Sequence, residues 1–180
     1  MAVLQKIREF FITQTTIESD EIVVPAPPLP PSAYEIRPLT ERHLTEVLRL
    51  NLRCFSEGEN YTKHTFEYLL NEPNCLSYRV IASGENIVGF VFVMTGEDGA
   101  AHITTIGIAP EHRRRNLANR LLDHAENALR KREINTVRLE VRAANIAAQN
   151  LYRSRGYAVV QRLKEYYNNG EDGFLMVKGI

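Results

Sequence analysis

Cysteine is scarce in this sequence: Cys54 and Cys75 are the only two, too few for a disulfide framework, and no Cys/His cluster has zinc spacing. A reducing, intracellular setting and no metal are expected. No apolar run approaches the roughly 20 residues that span a bilayer, and the N-terminus lacks the charged-then-apolar order of a signal peptide. The expected location is cytoplasmic, with no membrane partner. Net charge is missing as well. Lysine plus arginine and aspartate plus glutamate balance at 22 each, so no global field favours nucleic acid. Any basic site must be local, and no specific nucleic-acid partner is expected. Apart from one proline run there are no repeats and no low-complexity segments.

A length of 180 residues suits one domain with an appendage, and a 44% hydrophobic fraction is enough for a core. The appendage is residues 1–33. Its first part carries Val3, Leu4, Ile7, Phe10, Phe11 and Ile12 at the spacing of a short amphipathic helix, marginal in isolation. Such a helix packs on the domain, on a second subunit of a homo-oligomer or partner, or on nothing. Pro25 to Pro31, PAPPLPP, reads as a stiff polyproline II spacer. The main domain is expected over 34–180.

Within it, Tyr34 to Arg37 reads as a first strand, and Thr40 as the cap of a helix with the apolar face Leu44, Val47, Leu48 and Leu52. A second helix is expected over 62–70. Strands follow at 77–82 and 87–95, separated by turn residues, and Gly96 to Gly99 makes the next turn. The centre of the chain is His102 to Asp123, which changes character halfway. Ile103, Thr104, Thr105, Ile106 and Ile108 are β-branched and end at Pro110, as in a buried strand. From Leu117 the apolar positions Leu117, Leu121, Ala125, Ala128 and Leu129 form one face of a helix. The remaining elements are a strand at 136–141, a helix at 147–155, and strands near 157–165 and 173–177. The order β-α-α-β-β-β-α-β-α-β-β describes a mixed α/β sheet flanked by helices.

The junction Arg113-Arg114-Arg115-Asn116-Leu117-Ala118 sets basic side chains and the unpaired N–H groups of a helix N-terminus at the end of a strand. Phosphate or pyrophosphate can bind there without a dedicated side chain. A solvated basic turn is the plainer reading of the same residues.

Together with Leu139 to Tyr157, LEVRAANIAAQNLYRSRGY, this junction resembles the acetyl-CoA motifs of the GNAT superfamily of N-acetyltransferases. The family's pyrophosphate loop, Arg/Gln-x-x-Gly-x-Gly/Ala, maps onto Arg113, Asn116 and Ala118. Asn116 stands in place of glycine, and asparagine is the residue that next most readily tolerates positive φ. Asn145, Ala148, Leu151, Tyr152, Gly156 and Tyr157 match the second motif. The resemblance covers Ile36 to Lys178 and implies the GNAT fold, with a sheet that splays where two parallel strands part. It also implies acetyl-CoA as cosubstrate. Cofactor contacts then fall to Ile106, Ile108, Arg113, Arg114, Arg115, Asn116, Leu117, Ala118, Asn119, Asn145 and Tyr152, those of Ile106 and Ile108 through backbone.

Attack of an amine on a thioester needs a base, a donor for the carbonyl oxygen and a proton for the leaving sulfur. The resemblance offers Tyr152 as the acid and the N–H of Ile106 as the oxyanion donor. Glu140, His102 and Glu59 are its three candidate bases, with a water relay through Glu140 preferred. Tyr166 to Gly173, YYNNGEDG, resembles a signature of N-terminal α-amino acetyltransferases, both nascent-chain catalytic subunits and ribosomal-protein alanine acetyltransferases. It implies that Tyr166 and Tyr167, with Glu59 and Tyr61, hold a peptide N-terminus. Asn-Asn-Gly alone also supports an ordinary hairpin turn. The rival activities are acetylation of lysine or a small amine, a non-catalytic acyl-CoA sensor, and an RNA-binding module.

Overall fold

The structure, a computed structural model, describes residues 34–55, 60–83, 86–96 and 98–180. The expected N-terminal helix, the proline spacer and Glu59 lie outside them. Seven strands occur in the expected order: β1 (Glu35–Pro38), β2 (Cys75–Ile81), β3 (Ile87–Thr95), β4 (Ala100–Ile108), β5 (Thr136–Arg142), β6 (Ala158–Leu163) and β7 (Gly173–Gly179). The helices are α1 (Leu44–Cys54), α2 (Lys63–Asn71), α3 (Leu117–Arg130) and α4 (Ile146–Ser154). One sheet of order β1-β2-β3-β4-β5-β7-β6 collects all the strands, and β4 with β5 is its parallel pair.

Local chemistry accounts for most boundaries. β3 is an almost unbroken apolar run, buried from Val88 to Met94, as suits a strand covered on both faces. Thr62 caps α2 by accepting the N–H of Thr65 at 3.2 Å. Thr40 forms a capping box with His43 around a single 3-10 turn, Glu41–His43, so α1 starts only at Leu44. The apolar face expected for α1 is corrected at one position. Leu52 is 60% exposed, whereas Val47, Leu50 and Asn51 are buried. Five residues turn a helix by about 140° from its starting face, which carries Leu52 away from Val47. Asn51 turns inward because its amide has partners: Nδ2 donates to Asn60 Oδ1 at 3.1 Å and to the Tyr61 carbonyl at 3.4 Å.

Phe66 of α2 is fully buried against Phe90 and Phe92 of β3, with ring centroids 5.9 and 5.3 Å away, and Tyr61 meets it edge-on at 5.8 Å. This cluster sets Tyr61 beside β4. On α3, Leu117, Leu121, Leu122, Ala125 and Leu129 are buried, and so is Glu126.

Two irregularities prepare a site. The β3–β4 register slips between Phe92 and Val93, leaving Thr104 without a partner on β3, which is a bulge in β4. Pairing between β4 and β5 covers only Ala100 to His102 against Thr136 to Arg138, although the strands run on to Ile108 and Arg142. The sheet therefore splits down its middle from His102 onward. β5 stays straight because β7 pairs with it along its whole length, from Thr136↔Gly179 to Arg142↔Gly173.

His43 gives the fold a pH dependence. It is 8% exposed, its Nδ1 accepts the Thr40 N–H at 3.1 Å, and burial, then the charges of Arg79 and Arg42, hold its pKa below the usual histidine value. The folded pKa lies below the unfolded value near 6.5, so the folded state binds fewer protons. The contribution of neutral His43 is complete above about pH 6.5 and is lost as pH falls through the window beneath it. The melting temperature should drop between about pH 7.5 and 5.5, and His43→Gln should flatten that drop; an unchanged slope in the variant would refute the assignment.

Candidate active site

A cleft of about 1110 Å³ follows the split from the Tyr166–Tyr167 hairpin to the start of α3. Its wall includes His102, Ile106, Ile108, Arg113, Arg114, Asn116, Leu117, Ala118, Asn119, Glu140, Asn145, Tyr152, Tyr61, Tyr166 and Tyr167. Residues from Tyr61 to Tyr167 along the chain thus converge on one cavity. Arg115 is not on that wall, and Glu59 is outside the described residues.

At the α3 end the loop is sharply bent. Arg114 and Asn116 have left-handed backbones with φ of 60° and 61°, so Asn116 takes the conformation expected of it. The first helical bond is Arg120 N–H to the Asn116 carbonyl, 3.1 Å. The N–H groups of Leu117, Ala118 and Asn119 therefore have no acceptor within the helix and stand at its positive end.

The arginines of the loop are largely engaged elsewhere. Arg113 donates from Nε to the Ile108 carbonyl at 3.1 Å and from Nη2 to the Cys54 carbonyl at 3.2 Å, tying the end of β4 to the end of α1. Arg115 Nη1 donates to the Tyr34 hydroxyl at 2.6 Å, which in turn contacts His112 Nδ1 at 3.0 Å. Arg120 reaches the Tyr34 carbonyl at 2.8 Å. Tyr34, only 5% exposed, thereby pins the loop from the far side. An anion here meets chiefly backbone N–H groups and the exposed Arg114.

Along the split, the direction of the β4 backbone is fixed by Ala109, whose N–H donates to the Val88 carbonyl at 2.9 Å. Successive residues alternate, so Gly107 faces β3 while Ile106 and Ile108 face away, across the gap. The Ile108 carbonyl is taken by Arg113, and the Thr104 carbonyl accepts the Tyr61 hydroxyl at 2.9 Å. The backbone of Ile106 is left facing the cleft.

At the crotch of the split, His102 Nε2 donates to Glu140 Oε2 at 2.6 Å, both side chains about nine-tenths buried. Sequence reading named the two as separate candidates; the fold makes them one pair. Tyr152 is 5% exposed, packs edge-on to Tyr157 at 5.6 Å, and is pushed well above the usual tyrosine pKa by burial. Its phenol is therefore neutral. Asn145 caps α4 by accepting the Ala148 N–H at 3.0 Å.

The hairpin is held as tightly. Tyr166 and Tyr167 pack edge-to-face at 5.1 Å, and the Arg142 guanidinium lies 4.2 Å from the centre of the Tyr167 ring. Glu171 pairs with Arg142 and accepts the Ala144 N–H at 2.8 Å; that backbone bond, with Arg142, holds its carboxyl below the ordinary range. A turn is present too: the Tyr167 carbonyl accepts the Gly170 N–H at 2.8 Å, with Gly170 at φ 79°. A Cβ on Gly173 would stand 3.2 Å from the Tyr167 ring, so glycine here leaves that ring its place. Arg142, Glu171, Tyr34 and the buried Gln149, whose Nε2 donates to the carbonyls of Arg142 and Ala143, all shape the cleft and were not singled out as site residues. Arg142, Gln149 and Glu171 lay within the quoted motifs, whereas Tyr34 did not.

The chain matches the Acetyltransferase (GNAT) family over residues 44–157. It is 34% identical over 140 residues to the N-alpha-acetyltransferase daf-31 of Caenorhabditis elegans, a match covering 74% of this chain and 75% of that protein. The N-terminal acetyltransferase A complex catalytic subunit NAA10 of Arabidopsis thaliana is 33% identical over 151 residues, 81% of this chain and 77% of its own. Among solved structures, the ribosomal-protein-S18-alanine N-acetyltransferase from Escherichia coli superposes with a TM-score of 0.74 at 27% identity, over 82% of this chain and 94% of that one. With a split mixed sheet, a helix start at the end of β4 and the family match across both, this chain belongs to the acetyltransferase (GNAT) family and is an N-acetyltransferase.

Proposed function

We propose that the chain is an acetyl-CoA-dependent N-terminal α-amino acetyltransferase of the nascent-chain or ribosomal-protein type, transferring the acetyl group directly within a ternary complex. The observation that carries this reading is the Tyr166–Tyr167 hairpin, which shares one cleft with Tyr61, the His102–Glu140 pair and Tyr152. Two aromatic walls opening onto a buried proton acceptor suit the end of a peptide, and the relatives' names point the same way.

The described residues fit the cofactor. The cleft-facing backbone of Ile106 suits an extended, amide-bearing arm, and the first-turn N–H groups of α3 suit a pyrophosphate. Asn145, Arg113 and Arg114 line the path between, and Leu117, Ala118 and Asn119 supply the anion end. When bound, acetyl-CoA supplies a thioester whose acyl carbon the amine attacks. The Ile106 N–H is the donor for the carbonyl oxygen.

The His102–Glu140 pair takes the amine's proton through water. With a carboxylate on Nε2, that nitrogen carries the ring proton and Nδ1 is left as the acceptor. Tyr152 faces the departing sulfur. A cysteine-like thiol titrates near 8.5 and this phenol well above its usual 10, so complete transfer from Tyr152 is uphill. It acts as a hydrogen-bond donor that steadies charge on the sulfur as it leaves.

A peptide α-amine titrates near 7.7 to 8.0 and lysine near 10.4, so a water-linked acceptor meets the demand of the first far more easily. The alternative, a family member acting on lysine or a small amine, leaves the tyrosine pair without a task. An RNA-binding module finds little support in a neutral chain, and a non-catalytic acyl-CoA sensor leaves the buried pair unexplained. Among the described residues, no helix is long and apolar enough to cross a membrane.

Acetyl transfer to short peptides differing in their first two residues, each with its α-amine free or blocked, tests the reading. Transfer is expected only to free α-amines; transfer persisting on blocked, lysine-containing peptides would move the chain to the side-chain branch. Glu140→Gln and His102→Gln should each lower kcat about 10²-fold, and the double variant by about the same, because the two act as a unit. Costs that multiply would show independent roles. Tyr152→Phe should lower kcat about tenfold or more with the Kd for acetyl-CoA within about twofold, and unchanged turnover would remove Tyr152 from the mechanism.

A further inference from the structure

Asn116 holds its left-handed turn without capping α3, since its side chain accepts no backbone N–H of the helix's first turn. Its Oδ1 instead accepts from Asn119 Nδ2 at 2.6 Å. Asn119 is gripped in turn by Arg155, whose Nη1 donates to both its backbone carbonyl and its Oδ1, each at 3.3 Å.

Arg155 closes α4, three residues after Tyr152, and its side chain is only 11% exposed. Its other terminal nitrogen, Nη2, is fixed by Asp123 at 2.7 Å and by Glu126 at 3.2 Å. Glu126, 4% exposed at its side chain, is itself held by Lys178 at 2.7 Å and by the Tyr157 hydroxyl at 3.1 Å. A buried carboxylate therefore orients Arg155, Arg155 orients Asn119, and Asn119 clasps Asn116.

We propose that Asn119 and Arg155 are positioning residues for the acetyl-CoA pyrophosphate: they hold Asn116 in a left-handed turn that glycine would adopt unaided. The inference rests on the reading of this loop as the cofactor's anion site. The penalty for an asparagine at positive φ and the gain from one well-made side-chain hydrogen bond are of the same order, so the clasp is strong enough to decide the loop's conformation. The relay also links the anion loop to α4, the helix carrying Tyr152, so the two ends of the cleft are set by one network. If Asn119 merely donated to the cofactor, its side chain would be needed whatever stood at position 116. If it serves Asn116, a glycine there makes it dispensable.

The test is a double-mutant cycle on the full-length protein, read as the Kd for acetyl-CoA by calorimetry. Asn119→Ala should weaken binding about tenfold in the native background and less than about twofold once Asn116→Gly is also present. Arg155→Met should follow the same pattern, with melting temperatures reported for each variant so that lost binding is separated from lost fold. Should Arg155→Met unfold the protein, Asn119→Ala decides alone, because Asn119 is at the surface end of the relay. An equal loss in both backgrounds would overturn the proposal. Failure of the native protein to bind acetyl-CoA would instead overturn the reading of the loop, and the proposal with it.

Discussion

The parting of β4 from β5 after His102 is the constraint on which the rest of the structure depends. Backbone N–H and C=O groups inside a protein need partners, and a strand edge opened in the middle of a sheet leaves a row of them unpaired. Two carbonyls of that row are satisfied locally, Thr104 by the Tyr61 hydroxyl and Ile108 by Arg113. Ile106 sits between them, facing the cleft. The backbone of Ile106 is thus left open to the cleft, and on the proposed function it is where an amide-bearing ligand would pair. The bulge at Thr104 belongs to the same device, since it changes the register just where the pairing fails.

A split sheet stays open only if both banks are stiff. β5 is paired with β7 throughout, and the turn after it is tied down by Gln149 and Glu171. The β4 bank is tied by Arg113 to the end of α1 and, through Arg115 and Arg120, to Tyr34. Exposed pairs such as Arg37–Glu35 are screened by solvent and cannot carry this task. Glu126 differs. Buried with Arg155, Lys178 and Tyr157, it would leave uncompensated charge if one partner were removed, at a cost of about 3–5 kcal/mol. The network that sets the geometry is thus the one the fold can least afford to break.

Legibility in the sequence followed the range of the interaction. Every strand and helix among the described residues has a local signal: the β-branched run of β4, the 3.6-residue periodicity of α3, the Asn-Asn-Gly turn. Asn116 could be foreseen at positive φ because that preference is a property of the residue itself. Leu52 was misplaced because an apolar residue at a helix end has no local marker of which side the core lies on. What stayed hidden were contacts between distant residues. His102 and Glu140 are 38 apart, Tyr34 and Arg115 are 81 apart, and Arg155 and Asn119 are 36 apart. Nothing in any of these segments advertises its partner, and only the topology brings them together.

The proton chemistry then follows from burial. A phenol whose pKa is raised by desolvation is a poor acid but a dependable hydrogen-bond donor, because it stays neutral over the whole working range. The His102–Glu140 pair lines the same cleft. Set at the two sides of one cleft, such groups favour a nucleophile that arrives already partly deprotonated. A lysine ammonium near 10.4 would ask this water-linked pair to take up a proton held more than two orders of magnitude more tightly than that of a peptide α-amine. On the proposed function, the preference for N-termini rests on two features, the aromatic hairpin that would receive the chain end and the His102–Glu140 pair that would accept the proton of its amine.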